Sequence, residues 1–309
     1  MLDETRPAAD AAVLRAAFGA YPHTAALRSG QVASTRLRFD LVDVSPISRA
    51  FAPMVREGRF DVSEMAIATF LQARAYGKPL VLLPITLAAR FQEAALLCRT
   101  ESDIRGPADL AGRRVGVRAY SQTTGMWLRG ILAGHHGVPA DRVRWVTFED
   151  AHVAECRDPP WAERASAGAD MMAMLRAGDL DAVIVGNDVP GDESLRTVFP
   201  DPAAMGEAFW RRHGFIPVNH LLTVRRDLAD TRPDLVAELL RMFHAAKAAA
   251  PMASGERDTL PMGRAALRPA IALALRYSAE QGLLPRALDA DEVWDGLPAG
   301  LLSDLKDSP

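Results

Sequence analysis

Aromatic residues are scarce, at 6% of the 309-residue chain, too few for the stacking surfaces that hold single-stranded nucleic acid. Excess positive charge is also missing. The net charge of −3 provides no basic field for nucleic acid or an acidic lipid surface. No apolar run reaches the ~18–20 residues of a membrane span. Cysteine is limited to Cys98 and Cys156, with no CxxC pair and no disulfide framework. The opening residues MLDETRPAAD have early acidic groups and no apolar stretch of a secretory signal. The expectation is a cytoplasmic protein with neither nucleic acid nor membrane as partner.

What is present is an ordinary globular composition, 49% hydrophobic and 24% charged, enough for a core of good size. Period-2 and helical patterns alternate along the chain. Strands are expected at Val13–Tyr21, at Thr35–Val44 and in FDVSEMA, PLVLLPITLA, FQEAALLCRT, RRVGVRAY, VRWVTFE, AVIVG and FIPVNHLLTVRR. ISRAFAPMVREG, IATFLQARAYG, TTGMWLRGILAGHHG, AAMGEAFWRRHG and PDLVAELLRMFHAAKAAA read as helices, several closed by glycine. RDPPWAERASAG reads as a long surface loop. Strands alternating with helices predict an α/β protein with mostly parallel sheets flanked by helices. Two such sets predict two lobes, 1–92 plus 222–309 and 93–221, with crossings near Phe91–Leu97 and Asn219–Val224.

Ligands of open α/β sheets bind beyond the carboxyl ends of the strands, where helix N-termini present N–H groups and a positive dipole end. Several such junctions carry polar groups. Arg118, Ser121, Thr123 and Thr124 stand where RRVGV turns into a helix, a setting for a carboxylate or phosphate. His23 and Thr24 follow the first strand, Ser63 and Glu64 end another, and Thr86 and Arg90 follow a third. Asn187 follows AVIVG, and Asn219 and His220 sit at the return crossing. Were the lobes to face each other, these groups would converge on one cleft with cations for an anion, plus a carboxylate and an imidazole for proton transfer.

FDVSEMAIATFLQARAYGKPLVLLP, DLAGRRVGVRAYSQTTGMWLRGIL and FIPVNH together resemble the 4,5-dihydroxyphthalate decarboxylases and their relatives. The resemblance implies the fold of type 2 periplasmic solute-binding proteins. Glu64 matches the glutamate of FDVxEM, Arg90 and Phe91 an Arg-Phe pair, Thr123 and Trp127 the T-x-x-x-W-x-R-G run, and His220 a histidine near the return crossing. The chain departs from that pattern at Pro22-His23-Thr24, where the family usually has Asp-Arg-Thr, and at Glu93 and Ala94, where it tends to have Arg and His.

The implied activity is decarboxylation of a hydroxylated aromatic acid, as in phthalate degradation, with no cofactor because the ring is the electron sink. Arg90 and Arg118 would bind carboxylates. His220 would donate the proton, with Glu64 as its partner or as base for the phenol. The resemblance also implies a homo-oligomer. The alternative is a non-catalytic solute-binding protein of the ABC-transporter type, using the same arginines and helix N-termini for a small aromatic or carboxylate ligand. No metal is expected: His152 and Cys156 share a helical spacing but lack a further ligand. His135 and His136 stand near a helix C-terminus, where histidine suits the dipole.

Overall fold

The computed structural model describes residues 11–186, 190–251, 257–298 and 301. In chain order the elements are β1 (Ala12–Ala17), α1 (Ala25–Arg28), β2 (Leu37–Leu41), α2 (Phe51–Glu57), β3 (Val62–Ala66), α3 (Ile67–Ala75) and β4 (Leu80–Ala89). Then follow β5 (Leu96–Arg99), β6 (Arg114–Val117), α4 (Thr123–His136), β7 (Arg144–Thr147), β8 (Ala162–Arg164), α5 (Met171–Ala177), β9 (Ala182–Ile184), β10 (Leu195–Thr197) and α6 (Pro202–His213). The chain ends with β11 (Val218–Arg225), α7 (Arg226–Thr231), α8 (Pro233–Ala248) and α9 (Arg264–Glu280).

These elements form two compact units, one of residues 1–89, 220–268 and 288–309, the other of 90–219 and 269–287. The chain crosses at Ala89–Arg90 and Asn219–His220. Residues 269–287, expected with the first set, belong to the second. The reason is packing. Tyr277 of α9 is buried against Trp127 of α4, ring centroids 5.9 Å apart, and fills the space beside Gly130, where a Cβ would lie 2.0 Å from its ring.

The first unit holds a five-stranded sheet in the order β2-β1-β3-β11-β4. β1 pairs in parallel with β2 and β3, whereas β11 is antiparallel to β3. β3, VSEMA, is buried along its whole length, as a central strand covered on both faces must be. The second unit holds a six-stranded sheet in the order β10-β5-β9-β6-β7-β8. β9, β6, β7 and β8 run parallel, and β5 pairs antiparallel with β9 and β10. Both sheets are mixed, because the strands that return from a crossing run against their neighbours. β8 lies within RDPPWAERASAG, the segment expected as a loop. Its short stretch AER pairs with β7 but is too brief and polar for an alternation signal. FQEAALLCRT is likewise divided, with a 3-10 turn at Glu93–Ala95 before β5.

Candidate functional site

The first unit gathers its chemistry around Glu64. Strand β3 delivers this side chain into the sheet's interior with no solvent exposure, where an unpaired carboxylate would be very costly. Three donors meet it. Gly19 N donates to Oε2 at 2.8 Å, the Tyr21 hydroxyl to Oε1 at 2.7 Å, and His220 Nδ1 lies 2.6 Å from Oε1. Burial opposes ionisation of Glu64, but the hydrogen bond and charge of His220, with the Gly19 and Tyr21 donors, outweigh it and hold the carboxyl below its ordinary value. With Nδ1 committed to the carboxylate, the Nε2 edge of His220 is the one left for chemistry. The side chain keeps 14% exposure, and the Phe51 ring meets it edge-on with centroids 5.1 Å apart.

Local sequence explains the arrangement. A Cβ on Gly19 would come within 2.4–2.6 Å of the Tyr21 ring and hydroxyl, so glycine lets Tyr21 fold back over the strand end toward Glu64. Thr24 fixes the turn: its Oγ1 accepts from Tyr21 N at 2.9 Å and donates to the Gly19 carbonyl at 2.8 Å. His23 is buried and lies parallel to the Tyr21 ring, centroids 5.2 Å apart and 3° between planes. Burial lowers its pKa, and its Nε2 has no hydrogen-bond partner among the described residues. Burial and the adjacent Glu64 carboxylate push the Tyr21 phenol far up, so Tyr21 remains a donor. Tyr21 opens the Tyr21-Pro22-His23-Thr24 junction after the first strand, but an aromatic there gives no sign in sequence that its hydroxyl meets a carboxylate.

Three further polar residues that the sequence points to make hydrogen bonds within this unit. Ser63 is adjacent to Glu64 on a strand and therefore faces the other side of the sheet; its hydroxyl donates to the Glu64 carbonyl at 2.9 Å. Thr24 serves the turn, as above, and Thr86 donates to the Pro261 carbonyl at 2.6 Å.

The second unit assembles polar groups around the start of α4. Arg90 Nη2 donates to Thr124 Oγ1 at 3.0 Å. Gln92 and Asn219 form a side-chain amide pair, with Gln92 Nε2 donating to Asn219 Oδ1 at 2.8 Å and to the Arg90 carbonyl at 2.7 Å. Asn219 thus organises the two crossing strands. Ser121 is buried in the turn before α4, and Thr123 and Thr124 occupy its first turn. The N-cap is Gln122, whose side chain makes no capping bond. Glu93 is buried at the crossing, and burial raises its pKa.

Two other expected ligand contacts have different roles. Trp127 is fully buried; its Nε1 donates to the Val218 carbonyl at 2.8 Å, and its ring packs among Phe209, Phe215 and Tyr277. It is core. Arg118 pairs with Glu149 at 3.1 Å on a half-exposed surface, so a carboxylate already engages it. Asn187 lies outside the described residues. Among the described residues no group of three or more metal-ligating side chains occurs, and no helix is long and apolar enough to cross a membrane.

A family model described as NMT1/THI5 like matches residues 43–157. The chain is 29% identical over 208 residues to 4,5-dihydroxyphthalate decarboxylase of Comamonas testosteroni, covering 63% of each. It is 28% identical over 169 residues to the Pseudomonas putida protein of that name, covering 50% of this chain and 65% of the relative. In both, the match spans less than two thirds of the relative's length. Among solved structures, the MOPS-bound alkanesulfonate-binding protein SsuA of Xanthomonas axonopodis pv. citri superposes with a TM-score of 0.51 at 16% identity, covering 94% of this chain and 84% of that one. A Candida albicans gene product with the generic periplasmic-binding-protein fold gives 0.53 at 12% identity, covering 92% and 94%. In sequence the chain resembles the 4,5-dihydroxyphthalate decarboxylases, and its fold is that of the periplasmic binding proteins.

Proposed function

We propose that the chain is a cofactor-independent decarboxylase of a hydroxylated aromatic carboxylic acid, 4,5-dihydroxyphthalate being the substrate its curated relatives' names suggest. The observation that carries this reading is the buried Glu64 carboxylate at 2.6 Å from His220 Nδ1. Glu64 oxygens already accept from Gly19 and Tyr21, so Glu64 positions and charges the imidazole and does not serve as base for the phenol. His220 in its imidazolium form is the catalytic acid. The substrate reacts as the phenolate. Its oxygen para to the leaving carboxylate feeds an electron pair to the ring carbon bearing that carboxylate, and this carbon takes the proton from His220 Nε2. The bond to the carboxylate then breaks, its electron pair restores the aromatic phenolate, and carbon dioxide leaves. The imidazole regains a proton from solvent.

The second reading is solute binding without chemistry, which the fold also accommodates. A buried carboxylate tied to an imidazole favours the enzyme, since ligand binding alone gives no use for a poised proton donor. Incubation with 4,5-dihydroxyphthalate, followed by mass analysis, tests both. Release of carbon dioxide with the monocarboxylate product, lost in His220→Ala, supports the enzyme. Stoichiometric binding with unchanged ligand recovered supports the alternative.

A further inference from the structure

Two imidazoles stand beside one carboxylate in the first unit, and they are held differently. Glu64 lies 2.6 Å from His220 Nδ1 and accepts from the Tyr21 hydroxyl at 2.7 Å. His23 lies one ring further out, parallel to Tyr21 with centroids 5.2 Å apart, and feels Glu64 as a charge. The single negative charge of Glu64 is thus committed to His220, and a second imidazolium beside the first would be repelled by it.

His23 is buried, with 8% exposure. Burial and the Lys247 ammonium disfavour a positive charge on its ring and outweigh the Glu64 carboxylate and the Leu87 backbone. Lys247 is itself engaged by Asp258 at 2.7 Å and by the Leu260 carbonyl at 2.5 Å. The His23 ring is therefore a neutral imidazole, with one N–H and one lone pair. The Leu87 backbone makes a hydrogen bond with the ring. Nε2 makes none among the described residues, so Nδ1 is the donor and Nε2 carries the open lone pair. Nε2 is also shut off from water, and a desolvated acceptor costs free energy until a donor reaches it. The proposed reaction has such a donor. Its substrate must react as the phenolate, and Glu64 is not available as the base. Where two titratable groups of one site are pushed toward opposite protonation states, their environments divide acid from base.

We infer that His23 is the acceptor for a hydroxyl of the ligand and the base that ionises it, the ring shifting enough to admit the hydroxyl at Nε2. The O–H bond breaks, an N–H bond forms at Nε2, and the electron pair stays on the oxygen. After carbon dioxide leaves, the product phenolate takes this proton back from His23. The inference rests on the decarboxylase reading and adds the feature of the substrate that the site recognises, a phenol hydroxyl.

The test reads affinity and ligand ionisation apart from turnover. 3,4-Dihydroxybenzoate, which carries the hydroxyls, and benzoate, which lacks them, are titrated calorimetrically at neutral pH into the wild type, His23→Phe and His23→Gln. His23→Phe keeps an aromatic ring against Tyr21 but has no acceptor. It should weaken 3,4-dihydroxybenzoate roughly 5- to 10-fold and leave benzoate unchanged. His23→Gln, whose amide oxygen accepts a hydrogen bond but takes up no proton, should keep most of the affinity. Ultraviolet difference spectra read the bound ligand. The longer-wavelength phenolate band is expected in the wild type and the phenol band in both variants. A neutral phenol bound to the wild type, or no measurable binding of 3,4-dihydroxybenzoate, overturns the assignment even where a variant does not fold. So does a phenolate band that persists in His23→Phe. Equal loss of both ligands in His23→Phe would make the ring a brace for Tyr21 and also overturn it. Carbon dioxide release from 4,5-dihydroxyphthalate by the same wild type keeps the two readings apart. Release without a bound phenolate leaves the decarboxylase and removes the role of His23, whereas a bound phenolate without release does the reverse.

Discussion

Glu64 and His220 meet as a diagonal pair across antiparallel strands: His220 lies opposite Ala66 and Glu64 opposite Leu222, yet the two side chains touch at 2.6 Å. Such i, j±2 neighbours are within reach of long side chains on one face of a sheet. Because the side-chain period is two, a one-residue slip of β11 would send His220 to the other face. The pair is therefore a product of sheet register, and the buried strand β3 fixes that register.

Glu64→Gln keeps the size of the side chain but removes the negative charge that stabilises an imidazolium. Under the proposed mechanism kcat should fall by ~10²–10⁴-fold, the range of general acid–base help, while KM moves only a few-fold. Steady-state kinetics on 4,5-dihydroxyphthalate checks this. A proportionate rise in KM with kcat intact would show that Glu64 serves binding.

Tyr21→Phe removes one of the donors that hold Glu64 ionised. The folded carboxyl sits below its unfolded value of ~4.3. Its contribution to stability is therefore fully present above that pH and is lost as the pH falls through the lower folded value. Without the Tyr21 hydroxyl the folded value rises toward the unfolded one, so acid unfolding should begin at higher pH. The neutral-pH loss should be about 1.5–3 kcal/mol, typical of a hydrogen bond to a charged group. Acid titration followed by near-UV circular dichroism measures the first effect and urea unfolding the second.

How much of this could be read from sequence differs between the units. Glu64 and His220 stood out because charged and imidazole groups at strand ends, within motifs shared with a known family, point to chemistry. The α/β class followed from alternating periods. The surroundings of Ser63 and Trp127 were hidden for one physical reason: sequence gives proximity along the chain, whereas strand alternation and helix packing decide which way a side chain faces. Arg129 was passed over although it sits in the quoted motif, since its full burial, with Nε donating to Gln281 Oε1 at 2.8 Å, depends on a residue far along the chain. The place of Pro269–Ala287 in the second unit was equally hidden. It depends on Tyr277 finding the gap at Gly130, a contact between residues far apart in the chain.

That contact gives a further test. Gly130→Ala would set a Cβ 2.0 Å from the Tyr277 ring, and overpacking of this kind costs about 1–3 kcal/mol. The double variant Gly130→Ala/Tyr277→Leu should lose less than the sum of the single changes, because the smaller side chain relieves the clash. Urea unfolding of the four proteins forms the cycle. Strict additivity would mean that the ring and the glycine do not meet.

The last prediction concerns His135 at the end of α4 and His213 at the end of α6, whose Nε2 atoms lie 3.0 Å apart. A hydrogen bond between two imidazoles needs one N–H and one lone pair, so the pair is neutral in its stable form. Burial, then the nearby Arg212 and the neighbouring imidazoles His213 and His136, lower the His135 value to about 4; burial and Arg212 also lower His213. A histidine whose folded value lies below the unfolded ~6.5 stabilises the fold fully above ~6.5. That contribution is lost as the pH falls toward the folded value of about 4, since the unfolded chain takes up the proton first. Tm should therefore decline across this window in the wild type, and the decline should be shallower in His135→Gln, which can still hydrogen-bond to His213 but cannot titrate. Differential scanning calorimetry at half-unit pH steps measures the slope. An identical slope in both proteins would mean that this pair contributes nothing to the acid sensitivity of the second unit.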